Sequence, residues 1–279
     1  MTDTNISYPT IGVVTISFNQ GAYIKRCIDS VLKQKYENIS YVVVDAGSTD
    51  DTLHILRGIS DSRLRWISER DGGPADGLNK GFKMVGGDIL CYLNADDEYL
   101  PRAFENVIAG FVRTPSADII YGDAVQIDQT GNLVRYLLAT NWSLRAYALG
   151  FCNVIQPSTF FRRSAFERTS GFNVANPVIW DTELLIDMGM SGCRFECIRK
   201  TLSAFRIHSE SLTGTRRLQK EYLAERARLK HKVVGHAPPL QLECETLLCK
   251  VRKYALSPAL FANAMLLRVN YRPRVKLFS

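Results

Sequence analysis

Carboxylates recur at the ends of apolar, β-branched runs in the first hundred residues. Asp45 follows Ile39–Val44, Asp71 lies beyond Leu64–Ser68, and Asn94-Ala-Asp-Asp-Glu98 follows Asp88–Leu93. Any one of these placements suits a helix cap. Three together gather like charges, which is costly unless a cation or hydrogen-bond donors fill the gap. Magnesium or manganese takes oxygen ligands and keeps bonds to substrate phosphates, so a metal-bound diphosphate fits such a crevice. Further along, Trp180-Asp181-Thr-Glu183 opens an apolar stretch with two acids at a predicted helix start.

The elements that must hold these residues alternate. Thr10–Phe18, Ile39–Val44, Leu64–Ser68 and Asp88–Leu93 read as buried strands. Between them, Ile24, Cys27, Ile28, Val31 and Leu32 recur at the helical period, as do Leu53, Leu56 and Ile59 after Ser48-Thr-Asp-Asp51. Pro74 suits the first turn of a third helix. This alternation predicts an α/β fold, a mostly parallel central sheet flanked by helices, with ligands bound beyond the strands' carboxyl ends. No Gly-x-Gly-x-x-Gly or Walker A sequence follows the first strand, and neither does the glycine-rich element of sugar nucleotidyltransferases.

Composition sets the frame. The 279 residues, 46% hydrophobic and 23% charged, suffice for one elaborated domain or two ordinary ones. The formal charge of +7 resides in the tail: residues 216–279 carry 14 basic and 4 acidic side chains, against 21 and 24 before them. Seven scattered cysteines without a histidine cluster suggest free thiols in a reducing compartment rather than zinc or disulfides. Met1–Pro9 lacks the pattern of a signal peptide, and no run is long enough to cross a bilayer, so a cytoplasmic protein is expected. Ala255–Val269 is apolar and flanked by Lys250, Arg252, Lys253, Arg268, Arg272, Arg274 and Lys276. Peripheral contact with an anionic membrane is one reading of this stretch; a docking helix or a homo-oligomer interface is the other. A nucleic-acid partner is not expected, because no aromatic interleaving accompanies the charge.

Four segments in order, Pro9–Asn19, Val43–Asp50, Asp71–Gly81 and Gly87–Asp97, resemble the consecutive signatures of family 2 glycosyltransferases of bacterial polysaccharide and glycolipid assembly. The likeness runs to about His208 and implies the GT-A nucleotide-diphospho-sugar transferase fold. It implies a catalytic domain over 1–215, with a nucleotide-sugar half near 9–123 and an acceptor half near 124–215. A basic helical extension over 216–279 follows. The implied reaction is metal-dependent, inverting transfer from a nucleotide-diphosphate sugar to a saccharide or lipid-linked acceptor. A non-catalytic nucleotide-sugar-binding scaffold is the alternative, and a sugar nucleotidyltransferase is the more distant one.

The resemblance also assigns roles. Thr15, Ser17, Asn19, Asp45, Asp71, Asp76, Asn79, Lys80, Asn94, Ala95, Asp96 and Arg206 would bind the donor. Asp96, Asp97 and His208 would hold Mn2+ or Mg2+, although Asn94 stands where the family's Asp-x-Asp motif begins with a carboxylate. Asp181 would be the general base, with Glu183 as alternative. Trp142, Tyr147, Phe151 and Trp180 would contact the acceptor. UDP is the expected carrier, since an aspartate beside the base would accept the uracil N3 proton; guanine and thymidine carriers stay open. Val125–Val134 reads as a hairpin, Cys193–Ile198 and Leu202–Ile207 as two late strands, Ser209–Arg216 as a lid and Arg217–Val234 as a charged helix.

Overall fold

The computed structural model describes residues 9–209 and 218–235. Among them, β1 (Ile11–Ser17), β2 (Ile39–Asp45), β3 (Leu64–Ser68) and β4 (Ile89–Asn94) lie parallel in the order β3-β2-β1-β4. Helices α1 (Ile24–Leu32), α2 (Thr52–Arg57) and α3 (Pro74–Met84) connect them. Side chains of a strand alternate between faces, so each strand feeds both layers. Val14, Val42, Val44 and Leu90 pack with Leu78 and Phe82 of α3. Val13, Val43, Cys91 and Leu93 pack with Ile24, Cys27, Ile28 and Val31 of α1. On the α3 side the approach is close. A Cβ on Gly81 would come within 2.4 Å of Val14 Cγ1, so only glycine fits this helix–strand crossing.

Beyond β4 the sheet becomes mixed. β5 (Glu98–Tyr99) and α4 (Ala103–Arg113) precede β6 (Ile119–Ile127) and β7 (Leu133–Leu137), the expected hairpin, whose turn Asp128 stabilises through both carboxylate oxygens. After α5 (Leu144–Ala148), β8 (Thr159–Arg162) inserts antiparallel between β4 and β6. α6 (Arg163–Phe166) and α7 (Trp180–Met190) lead to β9 (Phe195–Arg206). The two late strands expected from the sequence are one. β9 follows β6 in parallel with register shifts at Asp123 and pairs antiparallel with β5. Lys200 and Thr201 break the apolar pattern there without breaking the strand.

The last described helix, α8 (Gln219–Val234), lies against α5 and α7 with Leu229 fully buried. No helix among the described residues is long and apolar enough to cross a membrane. The expected lid and the basic apolar tail over 240–279 lie outside the described residues, except for Ser209.

Candidate active site

The carboxyl ends of β1, β2 and β4 open into a cavity of about 1280 Å³ that extends past α7 and β7. Ser17, Asp71, Asn94, Ala95 and Asp96 line one part of it, and Asp181, Trp180 and Tyr147 line another. Some of the predicted donor residues and some of the predicted acceptor residues thus share one space. Gln20, Arg70, Tyr92, Arg135 and Gln156 also line it, and sequence reasoning missed them. Gln20 and Arg70 had a signal, since both sit in loops just beyond strand ends. Ser17 Oγ and Gln20 Oε1, in residues of the wall, are buried without a hydrogen-bond partner in the protein.

Several predicted donor residues instead build the frame. Thr15 is fully buried, its hydroxyl 2.9 Å from that of Tyr41, so it does not line the cavity. Asp45 is also fully buried and accepts from Gly47 N, Ser48 N, Ser48 Oγ and Ser68 Oγ. With its oxygens engaged by these donors it does not reach a base, and the argument for uracil from Asp45 lapses. Asn19 sits at φ 53° and accepts from Thr49 N at 2.9 Å, clipping the end of β1 to the loop after β2. Asp76 accepts from Gly72 N, Lys80 pairs with Glu69 at 3.0 Å, and Asn79 exchanges two hydrogen bonds with the Phe172 backbone. None of these four lines the cavity.

The acidic loop after β4 divides its labour. Asp96 Oδ2 stands 3.0 Å from His208 Nε2, joining residues 112 positions apart. His208 is further packed against the Tyr23 ring, centroids 5.0 Å apart. Asp97 does not join this pair. It is fully buried, accepts from Arg206 N at 2.9 Å and lies outside the cavity wall. Burial, reinforced by the neighbouring Asp96 charge, raises its carboxyl well above the ordinary range, which disfavours the ionised form a metal needs. Arg206 reaches the wall but is 1% exposed. Its guanidinium donates to Asp96 O and Asp128 O and pairs with Glu98, so it organises the loop instead of offering a free cation.

No cluster of three or more metal-binding side chains occurs among the described residues. The Asp96–His208 pair nonetheless suits a divalent ion held by few protein ligands, with water and diphosphate oxygens supplying the rest.

At the other part, Asp181 opens α7, and its Oδ1 accepts from Thr182 N at 2.7 Å. Burial raises its pKa above the ordinary value, so the carboxylate is a stronger base than a solvated one. Glu183 turns elsewhere. It accepts from Asn173, Asn176 and Arg228 and lies outside the cavity wall, so it braces the helix rather than offering an alternative base. Trp142 stacks on Phe195 at 3.7 Å and 7°, and neither it nor Phe151 lines the cavity. Trp142 is taken up by packing and Phe151 lies outside the wall, while Tyr147 and Trp180 remain in it.

A model of the family described as glycosyl transferase family 2 matches residues 12–170. An uncharacterized glycosyltransferase of Rickettsia felis is 30% identical over 194 residues, covering 64% of this chain and 31% of that protein. One from Mycobacterium tuberculosis is 29% identical over 201 residues, 71% of this chain and 76% of the relative. Escherichia coli chondroitin synthase is 29% identical over 181 residues, of which this chain covers 26% of the relative's length. The chain therefore spans less than a third of the Rickettsia and Escherichia proteins. Among solved structures, S. aureus TarS 1-349 in complex with UDP-GlcNAc superposes with a TM-score of 0.69 at 17% identity, over 88% of this chain and 73% of that one. The mannosyltransferase PcManGT from Pyrobaculum calidifontis, in complex with GDP-Man and Mn2+, gives 0.64 at 19%, over 96% and 82%.

Proposed function

The chain belongs to glycosyl transferase family 2 and has the GT-A fold, and from that premise we propose that it transfers a sugar from a nucleotide-diphosphate sugar to an acceptor hydroxyl, inverting the anomeric carbon. The observation that carries the reading is one cavity with Asp96, held by His208 just outside the wall, at one part and the base-strengthened Asp181 at the other.

In this reading Ser17, Gln20, Asp71, Asn94 and the Ala95 segment bind the nucleotide diphosphate. Asp96 and His208 would hold the divalent ion. A bound Mn2+ or Mg2+ supplies positive charge that offsets the charge growing on the leaving diphosphate. Asp181 removes the acceptor hydroxyl proton as that oxygen attacks C1 of the donor sugar. The bond from C1 to the diphosphate oxygen breaks, and the nucleoside diphosphate leaves with the electron pair. One displacement inverts C1, unlike the water-dependent paired carboxylates of hydrolases. UDP leads the candidate carriers because TarS, similar in fold, is described with UDP-GlcNAc; the GDP-Man of PcManGT keeps guanine in the panel.

The test is calorimetric titration of UDP, GDP, TDP and their sugars with and without Mn2+, followed by the anomeric configuration of the product by NMR. Metal-enhanced binding of one nucleotide and an inverted product support the reading. Binding without turnover across an acceptor panel supports a scaffold, and a retained configuration overturns the mechanism.

A further inference from the structure

Three arginines reach the cavity wall, and they differ in what they have left to offer. Arg206 is already engaged by Asp96 O, Asp128 O and Glu98. Arg70 stands beyond β3 with Asp71, on the side proposed for the nucleotide. Arg135 lies on β7, which pairs with β6; β8, β4, β1 and β2 stand between β6 and β3. The residue after β7, Leu138, accepts from Asn153 Nδ2 at 3.2 Å. The strand of Arg135 thus runs into the 153–157 segment of the wall and not toward Asp71.

A neutral group holds Arg135 in place. Its Nε donates to Gln126 Oε1 at 2.6 Å. Gln126 is 4% exposed and stands in register with Arg135 on one side and Phe205 on the other. No carboxylate among the described residues pairs with the guanidinium, and neither Nη has a partner there. The residue is partly exposed, so solvent satisfies these donors while the cavity is open. A substrate that fills the cavity displaces that solvent. The enclosed charge is then costly unless the substrate brings an opposite charge with hydrogen-bond acceptors. A carboxylate or a phosphate does both, since it accepts in parallel from the two Nη groups. The hydroxyls of a neutral sugar bring acceptors without the charge. At about 1280 Å³ the cavity exceeds the usual size of a site for one small ligand, so such a substrate fits beside the donor.

We propose that Arg135 receives an anionic substituent of the acceptor, a carboxylate or a phosphate on the saccharide whose hydroxyl Asp181 deprotonates. The acceptor is thereby narrowed from any saccharide to an acidic one. The proposal rests on the transfer reading and on Asp181 as its base.

Calorimetry on the full chain tests this, with UDP or GDP and Mn2+ present to fill the phosphate end. Methyl glucuronide is compared with methyl glucoside, methyl galacturonide with methyl galactoside, and the 6-phosphates of glucose and N-acetylglucosamine with their parent sugars. For at least one pair the acid binds at least about tenfold more tightly, and the two kinds of acid separate carboxylate from phosphate. Arg135→Gln removes that preference and leaves nucleotide affinity unchanged. Arg135→Lys keeps the charge without the fork and retains part of the preference; it serves if the glutamine variant loses its cooperative melting. Equal affinity for acidic and neutral sugars across the panel overturns the proposal, as does a preference untouched by substitution at Arg135. A fall in nucleotide affinity in Arg135→Gln also overturns it and assigns the guanidinium to the donor diphosphate. So does an Arg135-dependent preference for UDP-glucuronic acid over UDP-glucose, which moves the anion to the donor sugar. An acid preference that Arg135→Gln removes, in protein that binds no nucleotide, overturns the transferase reading and leaves the anion site in place.

Discussion

Arg228 of α8 donates to the Glu183 carboxylate at 2.5 Å, and that same carboxylate receives Asn176, whose own oxygen accepts from Ile179 N just ahead of Asp181. A helix far along the chain is thereby fastened to the turn that presents the proposed base. Arg228→Met removes the closer charged donor and leaves a carboxylate that is 5% exposed with its amide partners and Lys232 at 3.9 Å. The expected loss is about 1–2 kcal/mol, below that of a fully buried pair because the guanidinium is partly solvated. Thermal melting registers it as a drop of about 3–6 °C, with nucleotide affinity unchanged.

Acid dissolves the same fastening. Burial raises the Glu183 pKa, but hydrogen bonds from Arg228, Asn176 and Asn173 outweigh it and hold the group below its ordinary value of 4.5. A depressed folded pKa contributes stability that is present above the unfolded value and lost as pH falls through the folded one. The melting difference between wild type and Arg228→Met is therefore full at neutral pH and vanishes below the folded-state pKa of Glu183. Melting curves across pH 2–7 check this.

Asp181→Asn keeps the hydrogen bond from Thr182 N and removes the proposed base. Transfer falls by about 10²- to 10⁴-fold with nucleotide affinity retained. In the wild type, burial raises the Asp181 pKa, so the acid limb of the rate profile lies above the ordinary aspartate value. Activity declines as pH falls through it, because the protonated carboxyl accepts no proton. Initial rates against pH, at saturating donor and acceptor, locate the limb.

Chelation and mutation act on one interaction at the other end of the cavity. Asp96→Ala and His208→Ala each abolish the gain in nucleotide affinity that Mn2+ confers, at least about tenfold. Titrations in EDTA, where wild type and variants converge, separate metal binding from damage to the nucleotide contacts.

Thr15→Val distinguishes frame from site. The Tyr41 hydroxyl, fully buried, loses its 2.9 Å partner, a cost of about 1–3 kcal/mol. Nucleotide affinity stays unchanged in titrations of the folded variant.

The first four strands were legible because each carries an apolar run closed by a polar turn. Their parallel order follows from the helices between them, as in Val43–Asp45 followed by Thr52–Arg57. The rest depends on partners distant in sequence. Nothing local announces that β8 enters between β4 and β6, or that β9 continues through Lys200 and Thr201 because β6 lies alongside. The same limit governs the site. Residue type singled out Asp96 and Asp181, which line the cavity, but which neighbouring carboxylate is sealed off depends on hydrogen bonds from Ser68 to Asp45 and from Arg206 to Asp97. Trp142 was attractive as a sugar platform until Phe195, 53 positions away, took its face.

Arg206 binds Asp96 O, Asp97, Glu98 and Asp128 O from the end of a single twelve-residue strand. The loop that carries Asp96 is consequently set when the strand docks, well before any ligand arrives. Ordering at this corner is a cost of folding and not of binding, so a diphosphate bound as proposed surrenders only its own freedom. In the proposed site, the tightness of the phosphate end is thus governed by a buried arginine whose guanidinium is spent on the protein itself.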